Sequence, residues 1–160
     1  MNERIERTTL KNLIHNEEYS RKVLPFIKED YFSNRLEKIL FSEIFKFTTQ
    51  YNKLPTRETL EIDIQNRRDI TDEEYKQIVA LIQSLKPEDI NLDWLVETTE
   101  KFCKDRAIHN AVMDGIQILE KKDTRRTPEA IPEILSDALG VSFDFPLHHH
   151  DTQIFAWISS

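Results

Sequence analysis

The residues of this 160-residue chain that could do chemistry are five histidines, one cysteine and 29 aspartates and glutamates. His148, His149 and His150 stand side by side ahead of Asp151 and invite a metal. Adjacent side chains on a regular element point in different directions, and neither an HExxH helix nor paired Cys/His spacing accompanies them, so no metal site is expected. His15 falls at a helix end, where an imidazole suits the terminal carbonyls, and His109 falls on an apolar helical stripe. Cys103 lies nearly two turns from His109, too far for a thiolate–imidazole pair, and reads as a small buried hydrophobe. Without a second thiol there is no internal disulfide and no CxxC pair, and a reducing compartment is expected. Asp72 with Glu73, and Glu97 with Glu100, are close enough to suggest acid–base work. A general acid needs a buried carboxyl, whereas Asp72 and Glu73 suit the first turn of a helix, where their charge complements the dipole.

Phosphate chemistry is excluded more firmly. Gly115 and Gly140 are the only glycines, where average usage would give roughly eleven. A GxxxxGK[ST] or GxGxxG loop needs closely spaced glycines so that backbone amides can wrap a phosphate, and neither can be written here. The net charge of −7 also disfavours a general nucleic-acid surface. Lys101, Lys104, Arg106, Lys121, Lys122, Arg125 and Arg126 gather positive charge, but six acids between Leu95 and Arg126 leave a surplus of one. These charges read first as a solvated surface, with an acidic protein partner or weak single-strand contact as alternatives. No cofactor is expected. No apolar run approaches a membrane span, and no secretory leader is expected.

The elements that carry these residues are helical nearly throughout. Apolar spacing predicts helices over 3–15 and 16–30, the second interrupted at Pro25. Asn34 with Glu37 suits a capping box for a helix to about Tyr51, Thr56 caps a short helix holding Leu60 and Ile64, and Thr71 with Glu74 caps 72–85. Lys86-Pro87-Glu88-Asp89 breaks the pattern. From Leu92 to Lys121 no proline intervenes, which predicts a helix of roughly 45 Å. Thr127-Pro128-Glu129 starts another that ends at Gly140. The expected fold is all-α: a compact multi-helix body over 1–88, an antiparallel helical hairpin over 89–141, and the start of a linker over 142–160. Along the hairpin, Leu95, Phe102, His109, Val112, Met113, Ile116, Ile134, Leu135 and Leu139 form a stripe that a small body covers only in part. Either a second copy completes it or the hairpin folds flat against the body. Phe143, Phe145, Phe155 and Trp157 are too apolar for a free tail and are expected to dock on another domain or subunit.

Several short words carry a resemblance in their order and spacing. Glu29-Asp30-Tyr31-Phe32 and Tyr51-Asn52-Lys53-Leu54-Pro55-Thr56 are followed by Trp94-Leu95-Val96-Glu97, Thr99-Glu100-Lys101 and Arg106-Ala107. Ala130-Ile131-Pro132, Leu139 and Ser142-Phe143-Asp144 complete the set. Over residues 5–144 the chain resembles the N-terminal domain of DnaB-type replicative helicases, most of all the helicase subunit of the T-even-like phage primase-helicase. The resemblance implies a non-catalytic collar domain that builds a hexameric ring and helps recruit primase, with the hairpin stripe as the ring contact and Phe143 to Trp157 opening the linker. It implies that ATP or GTP with Mg, and 5′ to 3′ movement on single-stranded DNA, belong to a motor domain absent from these residues. The implied setting is the cytoplasm of a bacterial host, with a helicase loader as a further partner and no membrane. A freestanding adaptor or loader-like protein is the alternative, and a small metal-dependent hydrolase is a third class resting only on scattered carboxylates and the histidine run.

Overall fold

The computed structural model describes residues 3–143, and every regular element among them is helical. Seven α-helices follow in order: α1 (Glu3–His15), α2 (Glu17–Val23), α3 (Arg35–Tyr51), α4 (Arg57–Gln65), α5 (Asp72–Ser84), α6 (Leu92–Leu119) and α7 (Ile131–Leu139). Single 3-10 turns stand at Leu24–Phe26, Glu29–Tyr31 and Pro128–Ala130. Their boundaries follow from local chemistry. Pro25 ends α2 in a 3-10 turn. Asn34 accepts from the amides of Leu36 and Glu37, and Thr71 forms a reciprocal box with Glu74. Thr56 closes a box with Thr59, a partner the expected pattern of Glu or Gln passes over. Asn52 stops α3 in the left-handed region at φ 56°, which asparagine tolerates better than most side chains.

Leu10 and Leu13, Tyr19, Phe32, Leu40 and Ile44, Leu60 and Ile64, Ile78, and Leu95 are fully buried and bring α1 through α6 into one core. Phe32 stacks on Phe41 at 5.2 Å and meets Phe102 edge-on at 6.0 Å. The core therefore runs across the expected boundary after residue 88, because the first half of α6 packs on α1, α2 and the 29–31 turn. Polar contacts fix this arrangement. Thr99 donates its hydroxyl to Leu95 O at 2.7 Å, so in the 2.6 Å contact between the two hydroxyls Tyr19 is the donor. His15 Nε2–H donates to Leu85 O at 2.7 Å. It does act at a helix end, but the carbonyl belongs to the C-cap of α5 rather than to its own helix.

The α4–α5 loop is held by charge. Arg67 donates to both Asp69 oxygens at 2.8 and 2.6 Å and to buried Glu43 at 2.7 Å, and Arg35 reaches Glu74 at 2.9 Å and Asp69 O at 2.7 Å. The Arg67 guanidinium holds the Asp69 carboxyl below the usual carboxylate range, and Arg35 does the same for Glu74. A lowered folded pKa means that the native chain binds fewer protons than the unfolded one. This stabilisation is therefore complete above the ordinary carboxylate pKa and is lost as pH falls through the lowered values. In urea unfolding, Arg67→Ala should cost about 2–3 kcal/mol at neutral pH, since Glu43 stays buried without its strongest partner. The loss of stability below about pH 4 should become shallower in that variant.

The last helix is shorter than its start signal suggests. Pro128 and Pro132 both lack an amide, so residues 128–130 form a 3-10 turn, and α7 proper has nine residues against 28 in α6. The two run antiparallel: Ile131 lies beside Gly115, Ala138 beside Ala107, and the backbone N–H of Phe143 reaches Glu100 at 2.9 Å. A methyl group on Gly115 would sit 3.7 Å from Ile131 Cγ2, an ordinary contact. Gly115→Ala should therefore raise stability by up to about 1 kcal/mol through helix propensity, while Gly115→Phe should displace α7 and speed tryptic cleavage after Arg126, which is half-buried and paired with Asp123 in the native turn.

Candidate assembly surface

α6 is covered differently along its length. From Leu92 to Asn110 it is held on the body, and the hold ends in two hydrogen bonds: Arg106 Nε donates to Tyr31 O and Asn110 Nδ2 to Asp30 O, each at 2.8 Å. These are the farthest points at which the 29–31 turn holds the helix by a hydrogen bond. From Ala107 onward α6 is covered by α7, which rests on Ala107, Ala111 and Gly115, all buried. Small side chains let the two backbones approach closely, and apart from Ile118, which is buried, the larger apolar residues in this part of α6 lie to one side of the contact. Ile108, Val112, Met113, Ile116 and Leu119 are 37%, 46%, 44%, 39% and 64% exposed, and Leu139 of α7 is 71% exposed. Between the helices lies a groove of about 220 Å³ lined wholly by apolar or small residues: Ala111, Val112, Gly115, Ile116, Leu119, Ile131 and Leu135.

The stripe expected from spacing thus divides. Leu95 and Phe102 are buried inside the body and offer no surface to another chain. Ile134 and Leu135 are half-buried against the core. His109, Val112, Met113, Ile116 and Leu139 stay accessible. Ile108 and Leu119 extend the same face, with Ile108, Val112 and Ile116 four residues apart and Leu119 three further on, a spacing that marks them as neighbours on one side of a helix. Phe143 stacks on Phe26 of the body at 4.6 Å with ring planes 23° apart. Phe145, Phe155, Trp157 and the three adjacent histidines lie outside the described residues.

The turn between α6 and α7 carries charge that is largely paired. Lys121 enters the left-handed region at φ 60°, and Lys122 N–H closes back on Gln117 O at 2.9 Å. Arg126 meets Asp123 at 2.8 Å and Asp114 at 4.0 Å, Arg125 meets Asp123 at 3.9 Å, and Lys122 meets Glu120 at 3.1 Å. Hydrogen bonds from the Arg125 backbone and the Arg126 side chain hold Asp123 below the ordinary carboxylate range. Among the described residues no three His, Cys, Asp or Glu side chains are placed to hold a metal, and no helix is long and apolar enough to cross a membrane.

The chain is 31% identical over 160 residues to the DnaB-like replicative helicase of Enterobacteria phage T4, across 94% of its own length and 34% of that protein's. The chain is homologous to part of that helicase. It spans about a third of the length of its relative. No protein-family profile matches it.

Cys103 lies within the buried row of α6, and burial, with Glu100 adding to it, pushes its thiol up to about 12. Iodoacetamide at pH 8 should label the native chain at least about a hundredfold more slowly than the urea-unfolded chain, because the thiolate is the reactive form and the folded site suppresses it.

Proposed function

We propose that this chain is the non-catalytic collar portion of a hexameric replicative DNA helicase, serving ring assembly and primase docking in phage DNA replication. One observation carries the reading: the outer face of α6 and α7 leaves Ile108, Val112, Ile116, Leu119 and Leu139 uncovered, in a chain homologous to part of a DnaB-like replicative helicase. Exposed apolar side chains gathered on one face mark a surface that another protein covers. A second copy is the simplest cover, since a ring of identical subunits repeats one interface around its axis. Met113 and His109 border the face, and Ile134 and Leu135 support it from below. Leu95 and Phe102 act inside the subunit by setting the angle at which α6 leaves the body.

In this reading the collar sits at the N-terminal end of the parent protein, and residues 142–160 open the linker to the motor. Nucleoside triphosphate hydrolysis, ATP or GTP with Mg, and translocation on single-stranded DNA belong to that motor. The absence of any closely spaced glycines in these 160 residues supports such a division of labour. Primase and a helicase loader are the protein partners, met in the cytoplasm of a bacterial host.

Sedimentation equilibrium over a concentration series tests the assembly step. The wild-type chain should associate reversibly, and Val112→Glu combined with Ile116→Glu should abolish association while leaving thermal unfolding within a few degrees. A wild-type chain that stays strictly monomeric to several hundred micromolar, or a double variant that associates as well as wild type, would overturn the reading.

A further inference from the structure

α7 is held to the rest of the subunit unequally. It has nine residues, no side-chain cap at its N-terminus, and Pro132 near its start. Isolated helices shorter than about 12 residues are marginal in water, so α7 exists only while it rests on something. That support is α6, and within α7 only Ala138 is buried. Toward the body α7 is not sealed. A cleft of about 220 Å³ parts it from the 28–31 segment, with Lys28, Asp30 and Tyr31 on the body side and Ile134, Asp137 and Val141 on the other. Lys28, Asp30 and Asp137 are all exposed, and closing the cleft would bury their charges, so tighter packing cannot replace the missing contact. Among the described residues no hydrogen bond or ion pair crosses from α7 to that segment.

The two ends of this stretch are fixed instead. At its start the turn is tied back to α6: the amides of Lys122 and Asp123 donate to Gln117 O at 2.9 and 3.2 Å, and Arg126 meets Asp123 at 2.8 Å. At its finish Phe143 lies on Phe26 of the body with ring centroids 4.6 Å apart, and its N–H donates to Glu100 at 2.9 Å. Both rings are half-buried, so this contact can part without opening the fully buried core.

We infer that residues 131–143 form a strap, hinged at the turn after α6 and buckled by Phe143 on Phe26, which opens as a unit and takes the α7 side of the assembly face with it. Opening withdraws Ile131 and Leu135 from the apolar groove and uncovers Ala107, Ala111 and Gly115. The chain after Phe143 leaves directly from the buckle, so a pull along it loads this contact first. The strap stands on contacts within the subunit, whereas its control of assembly rests on the collar reading.

Hydrogen–deuterium exchange read by mass spectrometry on the full chain, at low concentration, tests the strap. Peptides from α7 should exchange at least about a hundredfold faster than the slowest peptides of α1 and α3, because a local opening costs less than global unfolding. Phe143→Ala should speed exchange in α7 by about tenfold and leave α1 to α5 within about twofold, while Phe143→Tyr, which keeps the ring, should behave as wild type. An α7 that exchanges only when the body does, that ignores Phe143→Ala, or that speeds up in step with α1 and α3 would overturn the strap. Raising the concentration until the chain associates tests the control of assembly. Exchange in α7 should then slow at least about tenfold, since only the closed strap presents the face. An associated form whose α7 exchanges as fast as the monomer's would overturn that control. A chain that never associates removes the collar reading and the control with it, and the strap is then decided by the dilute exchange alone.

Discussion

Along α6, six residues four positions apart, Leu95, Thr99, Cys103, Ala107, Ala111 and Gly115, are all buried, and the rest of the molecule is arranged around that row. An α-helix turns every 3.6 residues, so a row of period four drifts by about 40° per step and by about 200° from Leu95 to Gly115. The buried surface of α6 therefore faces the body at its start and has swung to the far side by its end. No single partner can cover such a row. The body takes the first part, with Tyr19 bonded to Thr99 and Phe32 against Phe102, and α7 takes the last part, where only small side chains remain. The decrease from Leu through Thr and Cys to Ala and Gly sets how closely each partner approaches. The neighbouring row, Ile108, Val112 and Ile116, has the same period but stays 37%, 46% and 39% exposed among the described residues.

Where the body stops is decided by two side chains. Arg106 and Asn110 donate to consecutive backbone carbonyls, Tyr31 O and Asp30 O, in a 3-10 turn. Bonds to the backbone hold whatever side chains the turn carries, so they fix α6 by geometry rather than by packing. They are also charge-assisted or amide bonds at the edge of the core, which lets the helix leave the body without an apolar seal at that point. The groove of α6 and α7 opens one residue farther on, at Ala111.

Much of this was legible in the residues, and the divide is physical. Asn34, Thr56 and Thr71 cap helices through bonds to amides two or three residues away, so their sequence neighbourhood contains the whole interaction. Pro25 and the break after Leu85 act just as locally. The length of α6 was also readable, because nothing between Leu92 and Leu119 interrupts a helix. The covered face of α6 was not. Apolar periodicity counts large side chains, and in the second half of α6 the face that receives α7 is marked by Ala107, Ala111 and Gly115, which such a count passes over. Phe102 and Val112 look alike as members of a stripe, yet one meets Phe32 at 6.0 Å and the other is 46% exposed. Partners far apart in the chain were equally invisible: His15 with Leu85, Glu43 with Arg67, and Phe26 with Phe143 are set by the fold and leave no local pattern.

The uncovered face of α6 and α7 sets two forces against each other. The face of α6 and α7 is apolar along its groove, so covering it removes hydrocarbon from water, and the charge of −7 on each copy opposes the encounter. Added salt screens that repulsion, with a Debye length of about 8 Å at physiological strength, and so favours contact there.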